Sequence, residues 1–144
     1  MRLRALADSP GAFFGDLSSE RGYDEKYWRS ELQRNAWILA SLDHTPVGVA
    51  KLNLVPEQND GTHLEALWVA PEVRHLGAGE VLVSALESTA KSLGVRILRL
   101  WVFADNRSAQ TFYRHLGYTS SARRQKIEVN DRVRVEEEFE KHLE

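Results

Sequence analysis

Hydrophobic and polar positions recur along the chain with two different periods, and these periods divide it into helices and strands. Apolar residues three or four apart predict helices in RLRALAD, in DEKYWRSELQ, in the segment ending at Gly94 and in NRSAQTFYRHLG. Runs rich in β-branched and aromatic residues predict strands in AWILASL, VGVAKLNLV, HLEALWVA and RILRLWVF, and near 118–125 and 133–139. This order predicts an α/β fold with one mixed sheet.

The middle of the chain predicts a strand, a long helix and a second strand, which is a right-handed crossover between parallel strands. Strict alternation along HLEALWVA would place two sets of side chains on opposite faces. One set is His63, Glu65, Leu67 and Val69, and the other is Leu64, Ala66 and Trp68. In the second helix we expect Asp24 to be the N-cap. Its expected inner face is Tyr27, Trp28 and Leu32.

Composition narrows the class of protein. The 144 residues, 42% of them apolar, suffice for one domain spanning 1–144 with its own core. No apolar run approaches the ~18 residues that cross a bilayer, and the N-terminus lacks a secretory signal pattern. The chain has no cysteine and a net charge of -2. We therefore expect a cytoplasmic protein with no thiolate metal site and no nucleic-acid or membrane partner.

A glycine turn separates the strand ending at Val69 from the long helix. It contains R-x-x-G-x-G, from Arg74 to Gly79. The spacing and the lysine of a P-loop are missing, and Leu82 stands where a dinucleotide-binding turn has its third glycine. Glycines at a helix start let consecutive backbone N–H groups face one concavity at the positive end of the helix dipole. The turn is therefore either a pyrophosphate site or a tight cap without a ligand.

Two spaced motifs favour the pyrophosphate site. LWVAPEVRHLGAGEVLV contains V-x-P-x-x-R-x-x-G-x-G, and LWVFADNRSAQTFYRHLGY contains N-x-x-A-x-x-x-Y-x-x-x-G-Y. In this order they resemble the acetyl-coenzyme A signature of the GNAT superfamily of N-acetyltransferases, over about residues 47–125. The resemblance implies a mixed sheet whose two central parallel strands splay apart, flanked by helices, with acetyl-CoA as the cosubstrate.

The resemblance also implies a set of coenzyme-binding residues. Backbone N–H groups of the turn would hold the pyrophosphate, and the preceding strand would pair with the pantetheine arm as an incomplete sheet neighbour. The set is Leu67, Trp68, Val69, Arg74, His75, Leu76, Gly77, Ala78, Gly79 and Glu80. The side chain of Arg74 would either add charge or only stabilise the turn. Asn106 would contact the coenzyme or shape its loop, or be a plain helix N-cap.

Tyr113 aligns with the tyrosine that family members use to protonate the departing thiolate, although it also lies on an apolar stripe where aromatic residues are usually core. The attacking amine must lose a proton, since an alkyl ammonium with a pKa of about 10.4 is neutral in roughly one molecule in 10³ at pH 7. Glu65 and His63 are the candidate proton acceptors. A backbone N–H near Val69 is the expected oxyanion donor. Without cysteine, the acyl group is expected to pass directly in a ternary complex.

The acceptor is expected to be an amine on a small molecule or a peptide. The resemblance assigns it to the first two helices, the loop between them and the final hairpin. Two sets of residues in this region could contact the acceptor. The alternative is that the acidic set is a solvated face and that the aromatic set packs the helices together. The acidic set is Asp16, Glu20, Asp24 and Glu25, and the aromatic set is Phe13, Phe14, Tyr23 and Trp28. A homodimer is compatible with the sequence, which does not determine the oligomeric state.

One departure from the family and one rival function remain. Most members begin with an edge strand, whereas RLRALADSP predicts a helix directly. The resemblance therefore does not determine the first sheet edge or part of the acceptor wall.

The alternative function is a GNAT-like module that binds acyl-CoA as a sensor or interaction element without turnover. Tyr113 and the intact glycine turn favour the enzyme.

Overall fold

The computed structural model describes residues 1–8, 17–54 and 61–144, and of Leu17 only the backbone. The helices are α1 (Arg2–Asp8), α2 (Leu17–Arg21), α3 (Glu25–Arg34), α4 (Ala78–Ser92) and α5 (Arg107–His115). The strands are β1 (Ala36–Leu42), β2 (Thr45–Asn53), β3 (His63–Val69), β4 (Ile97–Phe103), β5 (Thr119–Val129) and β6 (Arg132–His142). The predicted elements are confirmed and α2 is added. The predictions on Phe13, Phe14 and Asp16 fall outside the described residues.

Helix ends follow the capping residues that the sequence indicated. Asp24 accepts a hydrogen bond from the backbone N–H of Tyr27 at 2.9 Å and so caps α3. Asn106 caps α5 in the same way, through the N–H of Ala109 at 3.1 Å. Gly94 follows α4 with φ of 80°, a left-handed conformation that costs glycine little.

The six strands form one mixed sheet in the order β1-β2-β3-β4-β6-β5. β3 and β4 are parallel, and the other neighbouring pairs are antiparallel. The parallel strands are in register only at His63, the first residue of β3, and Arg99, the third residue of β4. Beyond that pair β3 stays bonded to β2 and β4 to β6, so the two central strands separate towards their carboxyl ends. The expected splayed mixed sheet is confirmed.

Two apolar clusters cover the two faces of the sheet. The larger combines α4 and α5 with Leu52, Leu64, Leu98 and Phe139 of the strands. The smaller packs α1 onto β2 and β3, and it consists of Ala5, Leu6, Val47, Val49, Trp68, Ala70 and Val73. The sheet therefore lies between α4 and α5 on one side and α1 on the other.

Strand β3 contains a bulge that the sequence did not predict. Trp68 pairs with Val49 and Glu65 pairs with Lys51, so two residues of β3 oppose one residue of β2. Ala66 lies in the bulge with φ of 55°. The bulge shifts the alternation of side chains by one position.

This shift corrects the predicted faces of β3. Leu67 packs against the same cluster as Leu64, Val69 contacts both clusters, and Trp68 belongs to the other cluster. The polar residues that flank Leu64 before the bulge point to the face opposite Leu64. These residues are His63 and Glu65, so their predicted grouping with Leu67 and Val69 is wrong.

The predicted inner face of α3 is also wrong in part. No residue of α3 is buried, and Tyr27 and Leu32 are 42% and 62% exposed. The reason is a cavity under this helix, which Tyr27 and Trp28 line instead of packing into the core.

Among the described residues, no helix has the length and apolarity needed to cross a lipid bilayer.

Candidate active site

A cavity of about 460 Å³ opens where β3 and β4 separate. Leu64, Glu65, Ala66 and Leu67 form one wall, and Trp101, Val102 and Phe103 form the other. Asn106, Ala109 and Tyr113 of α5 line it from one face of the sheet, and residues of α1, α2 and α3 line it from the other. Past His63, the edge of β3 that faces β4 has no ladder partner among the described strands. Its backbone groups can therefore bind an extended ligand as a further strand would.

The glycine turn leaves the start of α4 without a side-chain cap. Gly77 occupies the N-cap position with φ of 85°, and no described side chain bonds to the first helical N–H groups. A Cβ on Gly77 would meet no heavy atom within 4 Å, so the turn opens to free space. A Cβ on Gly79 would lie 3.2 Å from the ring of Phe112. The uncapped amides and the dipole of this helix suit an anion such as a pyrophosphate.

The side chain of Arg74 braces the turn. Its Nε donates to the carbonyl of Val69 at 2.9 Å, and its Nη2 donates to Asp8 at 2.5 Å. The same carboxylate oxygen accepts from the indole of Trp68 at 2.9 Å. Asp8 therefore ties α1 to the end of β3 and to the turn. Of the two roles expected for Arg74, this geometry supports stabilisation of the turn.

We expect Asp8→Asn to weaken the turn without touching the chemistry. It removes the negative partner of Arg74, and a hydrogen bond to a charged group contributes about 1.5–3 kcal/mol. The free energy of unfolding should fall, and KM for acetyl-CoA should rise several-fold with kcat unchanged. The control is Arg4→Gln, which removes the exposed pair with Glu72 and should change neither quantity. A normal KM in Asp8→Asn would show that the turn holds its shape unaided.

Tyr113 is a buried tyrosine that lines the cavity. It is 8% exposed, and its ring contacts those of Phe112 and Tyr118 at 5.2 and 5.8 Å between centroids. Its hydroxyl has no hydrogen-bond partner among the described residues. Burial raises the pKa of this phenol, so the proton stays on oxygen at neutral pH.

Tyr118 offers a direct contrast. It is 1% exposed, and its hydroxyl donates to Glu87 at 3.0 Å. Lys141 lies 2.9 Å from the same carboxylate. Burial, and then the charge of Glu87, raise the pKa of this phenol as well. Of these two contacting tyrosines, Tyr118 has a hydrogen-bond partner for its hydroxyl among the described residues and Tyr113 has none.

The start of α5 is fixed beside the cavity by two amides. Asn106 both caps the helix and lines the cavity, so its two expected roles are compatible. Gln110, which the sequence did not single out, is 7% exposed and donates to the carbonyls of Phe103 and Ala104. This contact joins α5 to the open end of β4. Its signal in the sequence is only a polar residue in an amphipathic helix, which is usually exposed.

Glu65 and His63 both line the cavity, but each already has partners. The carboxylate of Glu65 accepts from the amide of Asn53 at 2.9 Å and lies 3.3 Å from the ammonium of Lys51. His63 is 4% exposed and its Nδ1 lies 2.9 Å from the carbonyl of Gly61. Its Nε2 is 3.6 Å from Glu138, beyond hydrogen-bond distance, and has no other partner among the described residues.

The acceptor side of the cavity carries more acids than the sequence indicated. The lining carboxylates are Glu20, Glu31, Glu65 and Glu136, and the lining cations are Arg2 and Lys51. Arg2 is paired with Glu20, and Lys51 lies 3.3 Å from both Glu31 and Glu65. The excess of acids favours a cationic ligand. The sequence did not single out Glu31 and Glu136, because both lie in strongly charged segments, a pattern that is typical of solvent-exposed faces.

A mixed sheet with separating parallel strands, a helix α4 without a side-chain cap and a tyrosine hydroxyl without a partner among the described residues are features expected of an acyl-CoA-dependent transferase. The model of the acetyltransferase (GNAT) family matches residues 3–118. The chain belongs to this family. It is 26% identical over 114 residues to an uncharacterized N-acetyltransferase of Methanocaldococcus jannaschii, covering 68% of this chain and 50% of that protein. The chain thus spans about half the length of this curated relative.

Other similarities support the same fold. A segment of 58 residues is 38% identical to the catalytic subunit of the N-terminal acetyltransferase B complex of Schizosaccharomyces pombe, over 40% of this chain and 32% of that protein. The ribosomal-protein-alanine N-acetyltransferase of Brucella melitensis has a TM-score of 0.78 at 19% identity, covering 98% and 91% of the two chains. An acetyl-CoA-bound GNAT acetyltransferase of Elizabethkingia anophelis has a TM-score of 0.65 at 15% identity, covering 83% and 84%.

Proposed function

We propose that this protein is an acetyl-CoA-dependent N-acetyltransferase that acetylates a primary amine of a small molecule, peptide or protein. The observation that carries the proposal is the hydroxyl of Tyr113, a buried residue in the cavity wall; this hydroxyl has no hydrogen-bond partner among the described residues. A phenol held in this way can donate a proton to a leaving group in the cavity. Because the chain has no cysteine to carry the acyl group, transfer is direct. The same lack of cysteine is in keeping with action in the cytoplasm.

The coenzyme would be held at three places. The first N–H groups of α4, from Gly77 onward, bind the pyrophosphate, and the left-handed turn leaves room for it. The unpaired edge of β3 beyond the bulge binds the amides of the pantetheine arm as a partial strand pair. Asn106 lies at the wall of the cavity between these regions and α5. Acetyl-CoA supplies the acetyl group as a thioester, whose carbonyl carbon is open to attack by an amine.

The protein supplies charge stabilisation and proton transfer. A backbone N–H on the unpaired edge of β3, near Val69, would stabilise negative charge that develops on the carbonyl oxygen. Tyr113 protonates the sulfur as it departs, from the face of the sheet that carries α5. Glu65 and His63 are candidates for accepting the proton of the amine.

The acceptor would enter from the side of α1, α2 and α3. Carboxylates outnumber cations along this side, and Trp28, Trp37 and Trp101 add aromatic surface. An ammonium group is attracted by both kinds of group. Proteins of similar fold include named ribosomal-protein-alanine N-acetyltransferases, so peptides with a free N-terminus belong among the acceptors to be tested.

The test is incubation of the purified protein with acetyl-CoA and a panel of amines, with release of free thiol as the readout. The panel contains peptides with free N-termini, lysine-containing peptides with blocked N-termini, polyamines and amino sugars. We expect thiol release with at least one class and a mass increase of one acetyl group in its product. Binding of acetyl-CoA without turnover across the panel would favour the rival interpretation of a sensor module.

A further inference from the structure

Glu136 is a buried carboxylate in the wall of the cavity that none of the motifs includes. It lies on β6, it is 3% exposed, and it pairs in register with Phe103 of β4. Gln125 on β5 donates to its Oε2 at 2.8 Å. The same cavity is lined by Tyr113 from the other side of the sheet. The carboxylate of Glu136 on β6 and the phenol of Tyr113 on α5 therefore line the same cavity.

The strand register puts Glu136 at the open end of the cavity. His63, the first residue of β3, is in register with Arg99, the third residue of β4, and four residues further on the two strands reach Leu67 and Phe103. Glu136, which pairs with Phe103, therefore lies on β6 at the open end of the gap, with β4 between it and the edge of β3 that would bind the acyl group. His63 lies nearer the closed end, where its ring is 3.6 Å from Glu138, the residue two positions after Glu136 on β6. Glu65 lies between them, and its carboxylate is already bonded to Asn53 and Lys51.

The charges around Glu136 favour a carboxylate that can take up a proton. Burial raises its pKa, and Glu65 across the cavity raises it further. Gln125 and Arg134 oppose this effect, although Arg134 is also bonded to Asp105 at 2.9 Å and stacked on the ring of Phe103. A general base is most effective when its pKa lies near the working pH, so a raised carboxyl pKa improves its match to neutral conditions.

We propose that Glu136 is the general base of the reaction and accepts the proton of the acceptor ammonium. This inference rests on the proposed acetyltransferase function. The acceptor enters as R–NH3+ and leaves as R–NH–CO–CH3, so it gives up two protons. Glu136 takes the first and passes it to water. The freed electron pair of nitrogen forms the C–N bond while the C–S bond breaks and its electrons go to sulfur. Tyr113 protonates the sulfur, and the second proton of nitrogen restores the phenol through water.

The test compares Glu136→Gln with Glu137→Gln. Glutamine keeps the shape and the bond to Gln125 but accepts no proton. Glu137, the next residue of β6, points to the other face of the sheet, where it pairs with Ser120 and Arg124. With an acceptor from the panel, Glu136→Gln should lower kcat at neutral pH by roughly 10² to 10⁴. Its kcat should then climb with pH towards the wild-type value, because hydroxide removes the proton instead. Glu137→Gln should follow the wild type throughout.

A second measurement is independent of turnover. Burial raises the pKa of Glu136 in the folded chain above its pKa in the unfolded chain, which is near 4.3. Such a carboxyl makes the free energy of unfolding fall as the pH rises from the unfolded pKa to the folded pKa. The Glu136→Gln variant has no carboxyl to ionise at this position, so it avoids this loss of stability. Its Tm at neutral pH should therefore equal or exceed that of the wild type. The rise in Tm on adding acetyl-CoA should be unchanged.

Three results would overturn the inference. A raised KM for the acceptor with an unaltered pH profile of kcat would make Glu136 an amine-binding group only. A lowered Tm at every pH would make it a structural partner of Gln125. A loss of kcat in Glu65→Gln with none in Glu136→Gln would return the role to Glu65. If the wild type releases no thiol with any amine, the proposed function itself fails, and the inference fails with it.

Discussion

Tyr113→Phe should lower kcat by roughly 10² to 10⁴ while the protein stays folded and binds acetyl-CoA normally. The substitution keeps the ring and its contacts with Phe112 and Tyr118, and it removes a hydroxyl that has no partner in the described fold. Folding therefore loses nothing, whereas the departing thiolate loses its proton donor. A coenzyme thiolate is a fair leaving group without help, so we expect a value near the lower end. The measurement is steady-state turnover beside thermal unfolding.

The control for this prediction is Tyr118→Phe. The hydroxyl of Tyr118 is bonded to Glu87, a residue of α4 that also binds Lys141 of β6. Its removal leaves a partly buried carboxylate with one donor fewer, at a cost of about 1–3 kcal/mol. Tm should fall and kcat should stay near the wild-type value. Full turnover in a folded Tyr113→Phe variant would mean that Tyr113 is a core aromatic and that water protonates the thiolate.

Gly77→Leu should abolish the thermal stabilisation by acetyl-CoA. A ligand at about 100 times its dissociation constant stabilises by about 2.7 kcal/mol, which is on the order of 5–10 °C in Tm for a domain of this size. Leucine disfavours φ of 85°, and its side chain would fill the open space in front of the first N–H groups of α4. Differential scanning fluorimetry with and without acetyl-CoA measures the effect.

Gly94→Leu is the matched control for this prediction. Gly94 follows the other end of α4 with φ of 80°, and a Cβ there would also meet no atom within 4 Å. The two variants therefore impose similar backbone strain on the same helix, and both should lower Tm without ligand. Only Gly77→Leu should lose the response to acetyl-CoA. Equal affinity in the two variants would contradict the assignment of the pyrophosphate site.

The sequence by itself predicted the elements and the class of the fold, because both depend on local patterns. The periods of apolar residues, the caps Asp24 and Asn106, and the glycine after α4 act within a few neighbouring positions. The glycine turn and Tyr113 carry their signal in spacing alone, so the motif located both the expected pyrophosphate site and a tyrosine that lines the cavity. Their catalytic roles remain predictions.

Only the tertiary structure decided how β3 presents its side chains and which acids face the cavity. The bulge at Ala66 arises from pairing with β2, and nothing in HLEALWVA indicates it. The bond from Arg74 to Asp8 joins residues 66 positions apart, and such contacts leave no local pattern. The run VEEEFE reads as a charged strand, yet Glu136 is buried because β4 and β5 flank it at the open end of the splay. Burial and long-range register are properties of the folded chain, and they determine which carboxylates line the cavity.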